Sequence, residues 1–559
     1  MLAFLKSKER HRLVFNRPIA LASCLIFLLE TAAGPCHSQD AENTKSSPKG
    51  PASKATFPDS QSAGTAGANV VDAAMGLYRE AKYEEAAAAF GQVAQSDIAN
   101  APKALAWQAR ADLKLGRVSD AEICVQKALS LAENLPTVRV ALGEVYFRQG
   151  KFYEAEKEFL VPLKAGITAP RAYLGEARIA WSASNYKHAK QLIDKAHALD
   201  SQDPDIARLW FSTLSQAERA ASMATASKPG SRGTRDSPNT TLDIPSDHQC
   251  RLLTPVASTE AALENLMIDA QSLRGFGLSV KVNGNSSRLL LDTGMSGVML
   301  GAKQADRAGV LRVRDAKIGG VGNEGAASGY VAYAKSIQVG SLEFAGCLIR
   351  VIDKKRVMGE DGYIGADVFQ NFLVEINFPD RKLKLSGLPK APDSSDQVLG
   401  LQSDENAPPF WHDRYIAPEM QSYERFYRFG HQILLPTLVN SSSNSRLFLI
   451  DTGSYETHLS IDFARQVTKV HNDEVTRVRG FNGKVENVYR ADRVTLGFVS
   501  SKLMQQANDV VALDLTDLSD SVGTEVSGII GFSLLWLLDI TIDYRDGLVK
   551  FTYDPHRLH

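Results

Sequence analysis

Leu289-Leu290-Leu291-Asp292-Thr293-Gly294 and Phe448-Leu449-Ile450-Asp451-Thr452-Gly453 are two near-copies of one pattern in a chain of 559 residues. In each, three apolar residues run into Asp-Thr-Gly, so each carboxylate is expected at the end of a buried strand. The copies extend further. Tyr363-Ile364-Gly365 follows the first and Ile529-Ile530-Gly531 the second. From those glycines the two stretches align without a gap through Val374-Glu375-Ile376-Asn377-Phe378 and Ile540-Thr541-Ile542-Asp543-Tyr544, at a constant offset of 166. The two Asp are offset by 159, so the second copy has gained seven residues between its landmarks. One lobe is built twice. Two carboxylates brought together by duplicated halves suit general acid–base work on a water molecule.

The chain resembles the aspartic protease family, in particular its bacterial retropepsin-like members, over roughly residues 250–559. In that family an Asp-Thr-Gly loop is followed by a flap and then by two apolar residues and a glycine. All three parts occur twice here. Ile318-Gly319-Gly320-Val321-Gly322 looks like a glycine-rich flap tip, and Gly480-Phe481-Asn482-Gly483 is its shorter counterpart. Glycine suits such a tip because the turn needs positive φ and close approach to a bound peptide.

The resemblance implies a mostly β, bilobal fold with Asp292 facing Asp451. Two carboxylates so close share one proton, the ionised one drawing a proton from the trapped water and the protonated one polarising the scissile carbonyl. Thr293 and Thr452 are implied to hydrogen-bond across the lobe interface. Gly294 and Gly453 are expected to let backbone N–H groups reach the carboxylates. After the motif the family favours Ser, Thr or Ala, where a hydroxyl can hydrogen-bond the carboxylate. Ser454 fits, whereas Met295 departs and could crowd the pair. The implied activity is an aspartic-type peptidase, a hydrolase acting on peptide or protein substrates. A repeat scaffold whose degenerate lobes bind peptides without cutting them is the alternative.

The N-terminal half carries a different repeat. Pro102, Pro136, Pro170 and Pro204 recur every 34 residues, and Ala86, Ala121, Ala155 and Ala189 at 35, 34 and 34. Each alanine follows a short turn and opens an amphipathic helix. Each proline is expected to stop the second helix of a pair. Period and pattern resemble tetratricopeptide repeats, an all-α solenoid of helical hairpins whose concave face commonly binds a protein partner. Four hairpins are expected between about residues 70 and 202, with a closing helix around Ile206–Gln216.

Lys6, Lys8, Arg10, Arg12 and Arg17 precede the apolar stretch Ile19–Leu29 and then small residues, which reads as a secretory signal peptide. The expected location is therefore periplasmic or extracellular, with an uncleaved membrane anchor as the alternative. The expected plan is signal peptide 1–38, disordered linker 39–68, helical repeats 69–216, linker 217–248, first lobe 249–390, inter-lobe connection 391–424 and second lobe 425–559. The three bodies have ordinary domain sizes.

Net charge is −1, which gives no global case for nucleic acid or an anionic membrane. No Cys/His cluster has metal-ligand spacing, so no metal or cofactor is expected. Cys250 and Cys347 flank or lie in the first lobe, and the reading stays open between a disulfide in an oxidising compartment and two unpaired thiols. His458, five residues beyond Gly453, reads as structural, because the two-carboxylate chemistry needs no imidazole.

Overall fold

The computed structural model describes residues 63–214, 250–254, 256–267, 273–319, 326–352, 361–390, 416–440, 444–476, 478–480, 483–498 and 502–554, with the backbone of 3–6 and single positions at 442, 500 and 556. The expected signal peptide beyond residue 6 and the expected linker 217–248 lie outside the described residues.

Nine helices occupy the N-terminal region among the described residues: α1 Ala63–Arg79, α2 Tyr83–Ser96, α3 Ala101–Lys114, α4 Val118–Ala132, α5 Pro136–Arg148, α6 Phe152–Lys164, α7 Pro170–Ser182, α8 Tyr186–Leu199 and α9 Pro204–Thr213. They fall as four pairs and a ninth helix. The first begins inside the stretch expected to be linker, where Ala63, Ala66 and Ala68 favour helix. The four alanines of the repeat are buried, at 0, 0, 0 and 1% exposure, where helices meet closely.

The recurring prolines do a different job from the one expected of them. They sit in the first turns of α3, α5, α7 and α9, starting the next pair rather than stopping the previous one. A helix's first N–H groups have no intrahelical partner, so proline loses nothing there, and its fixed φ suits the first turn. Within each pair one turn residue adopts left-handed backbone: Ala81, Gly116, Gly150 and Ser184.

The odd-numbered helices send polar side chains into one buried network. Arg171 of α7 donates to Asp205 Oδ2 (2.7 Å), Asp203 Oδ2 (3.2 Å) and Glu144 Oε1 (3.3 Å), while Arg110 of α3 donates to Glu144 Oε2 (2.5 Å). Tyr78 of α1 donates to Asp205 Oδ2 (2.9 Å), tying the first helix to the ninth. The space where these helices meet is thus filled by their own polar side chains. Beside the network is a cavity of about 480 Å³, also lined by Phe429 and Asp520 from the C-terminal half.

That half holds two nine-stranded sheets, the second counting Ala3–Lys6, joined by a six-stranded sheet. In the first lobe the strands used below are β1 Leu273–Val282, β2 Asn285–Asp292, β3 Val298–Gly301, β4 Leu311–Ile318, β5 Ala327–Val339, β6 Leu342–Ile352, β7 Gly362–Gly365 and β8 Leu373–Asn377. In the second they are β9 Tyr427–Phe429, β10 Gln432–Val439, β11 Ser445–Ile450, β12 His458–Ser460, β13 Arg479–Gly480, β14 Gly483–Lys484, β15 Tyr489–Phe498, β16 Leu503–Leu513, β17 Gly528–Ile530 and β18 Leu538–Asp543.

The duplication survives in the pairing. β2 runs parallel to β7 with Leu290 opposite Tyr363, as β11 runs parallel to β17 with Leu449 opposite Ile529. The joining sheet pairs β8 with β18 antiparallel, Val374 opposite Ile542 and Ile376 opposite Ile540. Since Val374 corresponds to Ile540 and Ile376 to Ile542, the pairing maps onto itself when the lobes are exchanged. One large apolar core spans both lobes and this sheet. A disulfide joins Cys250 to Cys347.

Replacing Arg171 by Ala removes the one cation that Glu144, Asp203 and Asp205 share in this buried network, a change that typically costs about 3–5 kcal/mol. Urea unfolding followed by helical circular dichroism is expected to show that loss. Arg171→Lys, which keeps charge but not the fork, should lose less.

Candidate active site

The two Asp-Thr-Gly loops meet where the sheets abut. Thr293 Oγ1 donates to the carbonyl of Ile450 (2.8 Å) and accepts from the N–H of Thr452 (3.0 Å). Thr452 Oγ1 donates to the carbonyl of Leu291 (2.8 Å) and accepts from the N–H of Thr293 (3.1 Å). Both threonines are 1% exposed. Each hydroxyl therefore satisfies two backbone groups of the opposite lobe that have no water available to them.

This clasp sets the carboxylates side by side. The Asp292 carboxyl lies against Gly453 and the Asp451 carboxyl against Gly294, so the two acids face each other across the interface. Asp292 Oδ1 accepts the N–H of Gly294 (2.8 Å), and Asp451 Oδ1 accepts the N–H groups of Gly453 (2.9 Å) and Ser454 (3.0 Å). The glycines are required for a second reason. A Cβ at Gly294 would lie 2.6 Å from Asp451 Cγ, and one at Gly453 would overlap Asp292 Oδ2. Each glycine makes room for the carboxylate of the other lobe.

Burial, and then the charge of Asp451, hold the Asp292 carboxyl well above the usual carboxylate range. Burial also raises Asp451, while the N–H groups of Ser454 and Gly453 pull it back. The more amide-solvated Asp451 is thus the better seat for the negative charge, and Asp292 for the shared proton.

Ser454 supports its loop differently from expectation. Its hydroxyl donates to the carbonyl of Glu456 (3.0 Å), and only its backbone N–H reaches Asp451. The hydroxyl is not what stabilises the carboxylate, so Met295 in the first lobe forfeits nothing of that kind. Its side chain packs against an apolar cluster containing Leu290, Ile318 and Tyr363. Among the expected flap positions, Gly319 follows the first-lobe hairpin strand, which ends at Ile318, and Gly480 pairs with Gly483 across β13–β14. Gly320 and Gly322 lie outside the described residues.

Three side chains that sequence reasoning passed over also bear on the site. Asp367, two residues past Gly365, accepts from Ser296 Oγ (2.8 Å) and the Gly297 N–H (2.9 Å), pinning the first loop. His431, in the β9–β10 turn, lies 3.0 Å from the carbonyl of Gly294, so Nε2 carries the proton and donates. Arg274 donates to the Tyr363 hydroxyl (3.3 Å) and acts electrostatically to lower both aspartic acids. Each is a single polar residue remote from the motif in sequence, and no pattern there marks it. His458 is buried in β12 at 9% exposure, as a structural reading requires, and its Nδ1 has no hydrogen-bond partner among the described residues.

Residues 278–368 match the family model described as Aspartyl protease. The C-terminal half carries an aspartyl protease domain. The match takes in the first Asp-Thr-Gly loop and Tyr363-Ile364-Gly365; the second copy lies beyond it. Among solved structures, the chain is similar to the aspartic proteinase from Irpex lacteus, at 15% identity and a TM-score of 0.32, covering 54% of this chain and 99% of that one. No curated protein sequence matches the chain.

Two outcomes follow from this geometry. Thr293→Val strands the Ile450 carbonyl and the Thr452 N–H in a dry interface, at about 1–3 kcal/mol for each. Chemical denaturation should show the loss, and Thr293→Ser should recover most of it. The second concerns acid stability. Burial pushes the His458 imidazole down to about 4 from an ordinary 6.5. The unfolded chain therefore binds the proton first, and stability is lost as pH falls from about 6.5 through about 4. His458→Leu removes this linkage, and thermal melts should show its advantage growing as pH falls through that window, to about 3 kcal/mol.

Proposed function

We propose that the C-terminal half is an aspartic-type endopeptidase that hydrolyses peptide bonds with a water activated between Asp292 and Asp451. The observation that carries this reading is the meeting of two carboxyls, each delivered by its own Asp-Thr-Gly loop and each seated against the glycine of the other. Sharing one proton makes the pair an acid and a base at once. The ionised Asp451 takes a proton from the water as its oxygen attacks the carbonyl carbon. Asp292 gives its proton to the carbonyl oxygen, which becomes the second hydroxyl of the tetrahedral diol. Asp451 then returns its proton to the amide nitrogen as the C–N bond breaks, and Asp292 takes one back from a diol hydroxyl, which releases the amine and the carboxylic acid and restores the single proton of the pair.

Thr293 and Thr452 hold the loops, and Gly294, Gly453 and Ser454 supply backbone N–H groups; none of the five takes part in a bond change. The β4–β5 hairpin of the first lobe is the flap in this reading. Both halves of the dyad lie in one chain, so the site is complete within one molecule. The chain is exported in this reading, supported by the basic-then-apolar N-terminus and by the Cys250–Cys347 disulfide. The helical pairs are read as tetratricopeptide-type repeats serving protein recognition, supported by their 34-residue period.

Asp292→Asn and Asp451→Asn each keep the side-chain shape and remove one carboxylate. Each is expected to lower kcat/KM on peptides by about 10³-fold or more while leaving binding nearly unchanged. Wild-type activity should fall as pH rises, because the raised Asp292 proton is lost and the carbonyl loses its acid. A peptide mimic with a hydroxyl at the cleavage position should inhibit by replacing the water. Peptide binding without Asp-dependent cleavage at any acidic or neutral pH would sink this reading in favour of a binding scaffold.

A further inference from the structure

Arg110, Glu144 and Arg178 stand 34 residues apart in sequence, and so do Lys114, Arg148 and Ser182. The repeat period therefore puts each trio at equivalent positions of α3, α5 and α7. Within a helix the two positions are four residues apart, so they share one face. All six line the cavity of about 480 Å³ beside the buried network, together with Arg171 of α7 and Asp205 and Arg208 of α9. Its remaining wall comes from the second lobe. Asp520, Val522 and Gly523 close the side of the α3–α4 turn, where a Cβ at Gly116 would lie 3.0 Å from Asp520 Oδ2. Phe429 closes the side of Phe147, with ring centroids 6.3 Å apart.

The charges in this cavity do not balance. Six cationic side chains line it against three carboxylates, and Asp203, which accepts from Arg171, adds a fourth. Glu144 is held by Arg110 and Arg171, and Asp520 by Arg148. Asp205 already accepts from Arg171, Tyr78 and Lys114. The carboxylate nearest Arg178 is that same Asp205, at 3.9 Å, and Arg208 has no carboxylate partner among the described residues. Arg110, itself 3% exposed, has Nη1 buried without a hydrogen-bond partner among the described residues. Two positive charges are thus left without a counterion where the helices converge, which is unfavourable away from bulk water.

Solvent reaches the cavity along these cations. The side chains of Lys114 and Arg178 are 23 and 30% exposed, and Arg208 is exposed. Leu113, Trp181 and Leu209, all half-buried, give the cavity an apolar flank. A space of this size suits a small organic molecule better than an inorganic ion.

We propose that this cavity, between the helical pairs and the second lobe, binds a small organic dianion, a phosphate monoester or a dicarboxylate, whose charges meet Arg178 and Arg208 and whose body lies against Trp181 and Leu209. A guanidinium fork matches the paired oxygens of either group, which favours an oxyanion over chloride. Two charges on the ligand match the two uncompensated cations. An extended acidic peptide fits less well, because residues 520–523 of the second lobe shut the groove beside α3. Neither Asp292 nor Asp451 lines the cavity, so the site is separate from the dyad and independent of peptide cleavage. Its walls come from both halves of the chain, so occupancy ties the helical pairs to the second lobe.

The test titrates the full chain with phenyl phosphate and with phthalate, each against benzoate, at constant ionic strength and about pH 7.5, where the first two are dianions. Benzoate offers the ring with a single charge. Calorimetry is expected to show saturable binding of at least one dianion, about tenfold or more tighter than benzoate, and the melting temperature should rise with occupancy. Preference for phenyl phosphate marks phosphate monoesters as the source, and preference for phthalate marks dicarboxylates. Arg178→Gln and Arg208→Gln should each weaken binding about tenfold. Without ligand both variants should melt no lower than wild type, because each loses an uncompensated cation; two arginines with a purely structural role would lower that temperature and leave affinity unchanged. The proposal is overturned if neither dianion saturates below about 10 mM, or if affinity is unaltered in both variants. Tighter binding of a short polyglutamate peptide than of either dianion also overturns it, and gives the cavity to a protein partner.

Discussion

The reciprocal threonine clasp is the constraint on which the rest of the C-terminal half depends. Two hydroxyls satisfy four backbone groups across the lobe interface, two carbonyls and two N–H groups. Buried backbone polar groups without partners are costly, so the lobes have one low-energy way to meet at this point. That docking fixes the separation of Asp292 and Asp451 and makes glycine obligatory after each threonine. The raised carboxyl of Asp292, buried beside the charge of Asp451, is a consequence of this geometry.

The electrostatics follow the same logic. Bringing two carboxyls into a dry interface would be prohibitive if both were charged, so one stays protonated. Three backbone N–H groups are divided unequally between them, one to Asp292 and two to Asp451. A nearly symmetric duplication thereby gives two chemically distinct aspartic acids. The asymmetry grows outwards. Beyond the motif, the first lobe's hairpin strands run 8 and 13 residues, whereas the second lobe's run 3 and 10, and the apolar cluster on its face also takes in Phe147 and Phe152 of the helical pairs.

That contact changes how the helical region is understood. Arg171, Glu144, Asp205 and Tyr78 knit it into one buried network from α1 to α9, and its α5–α6 turn packs on the second lobe. The helical pairs are thus packed against the second lobe as well as against one another.

Local pattern alone determined a good deal. The paired motifs, the ungapped alignment after Gly365 and Gly531, and the 34-residue period disclosed a duplicated β-rich half and four helix pairs, because strand ends and helix turns have short-range chemical signatures. The same pattern singled out Asp292, Asp451 and the two threonines. Other features required the folded chain. Ser454 fits the motif, yet its hydroxyl turns to Glu456, since the choice between two nearby acceptors depends on loop geometry. Cys250 and Cys347, 97 residues apart, are joined because the fold brings their segments together. His431, Asp367 and Arg274 reach the site from separate turns and strands. The docking of Phe152 on Tyr427 joins residues 275 positions apart. Contacts of that span arise from the packing of whole elements, and no run of neighbouring residues encodes them.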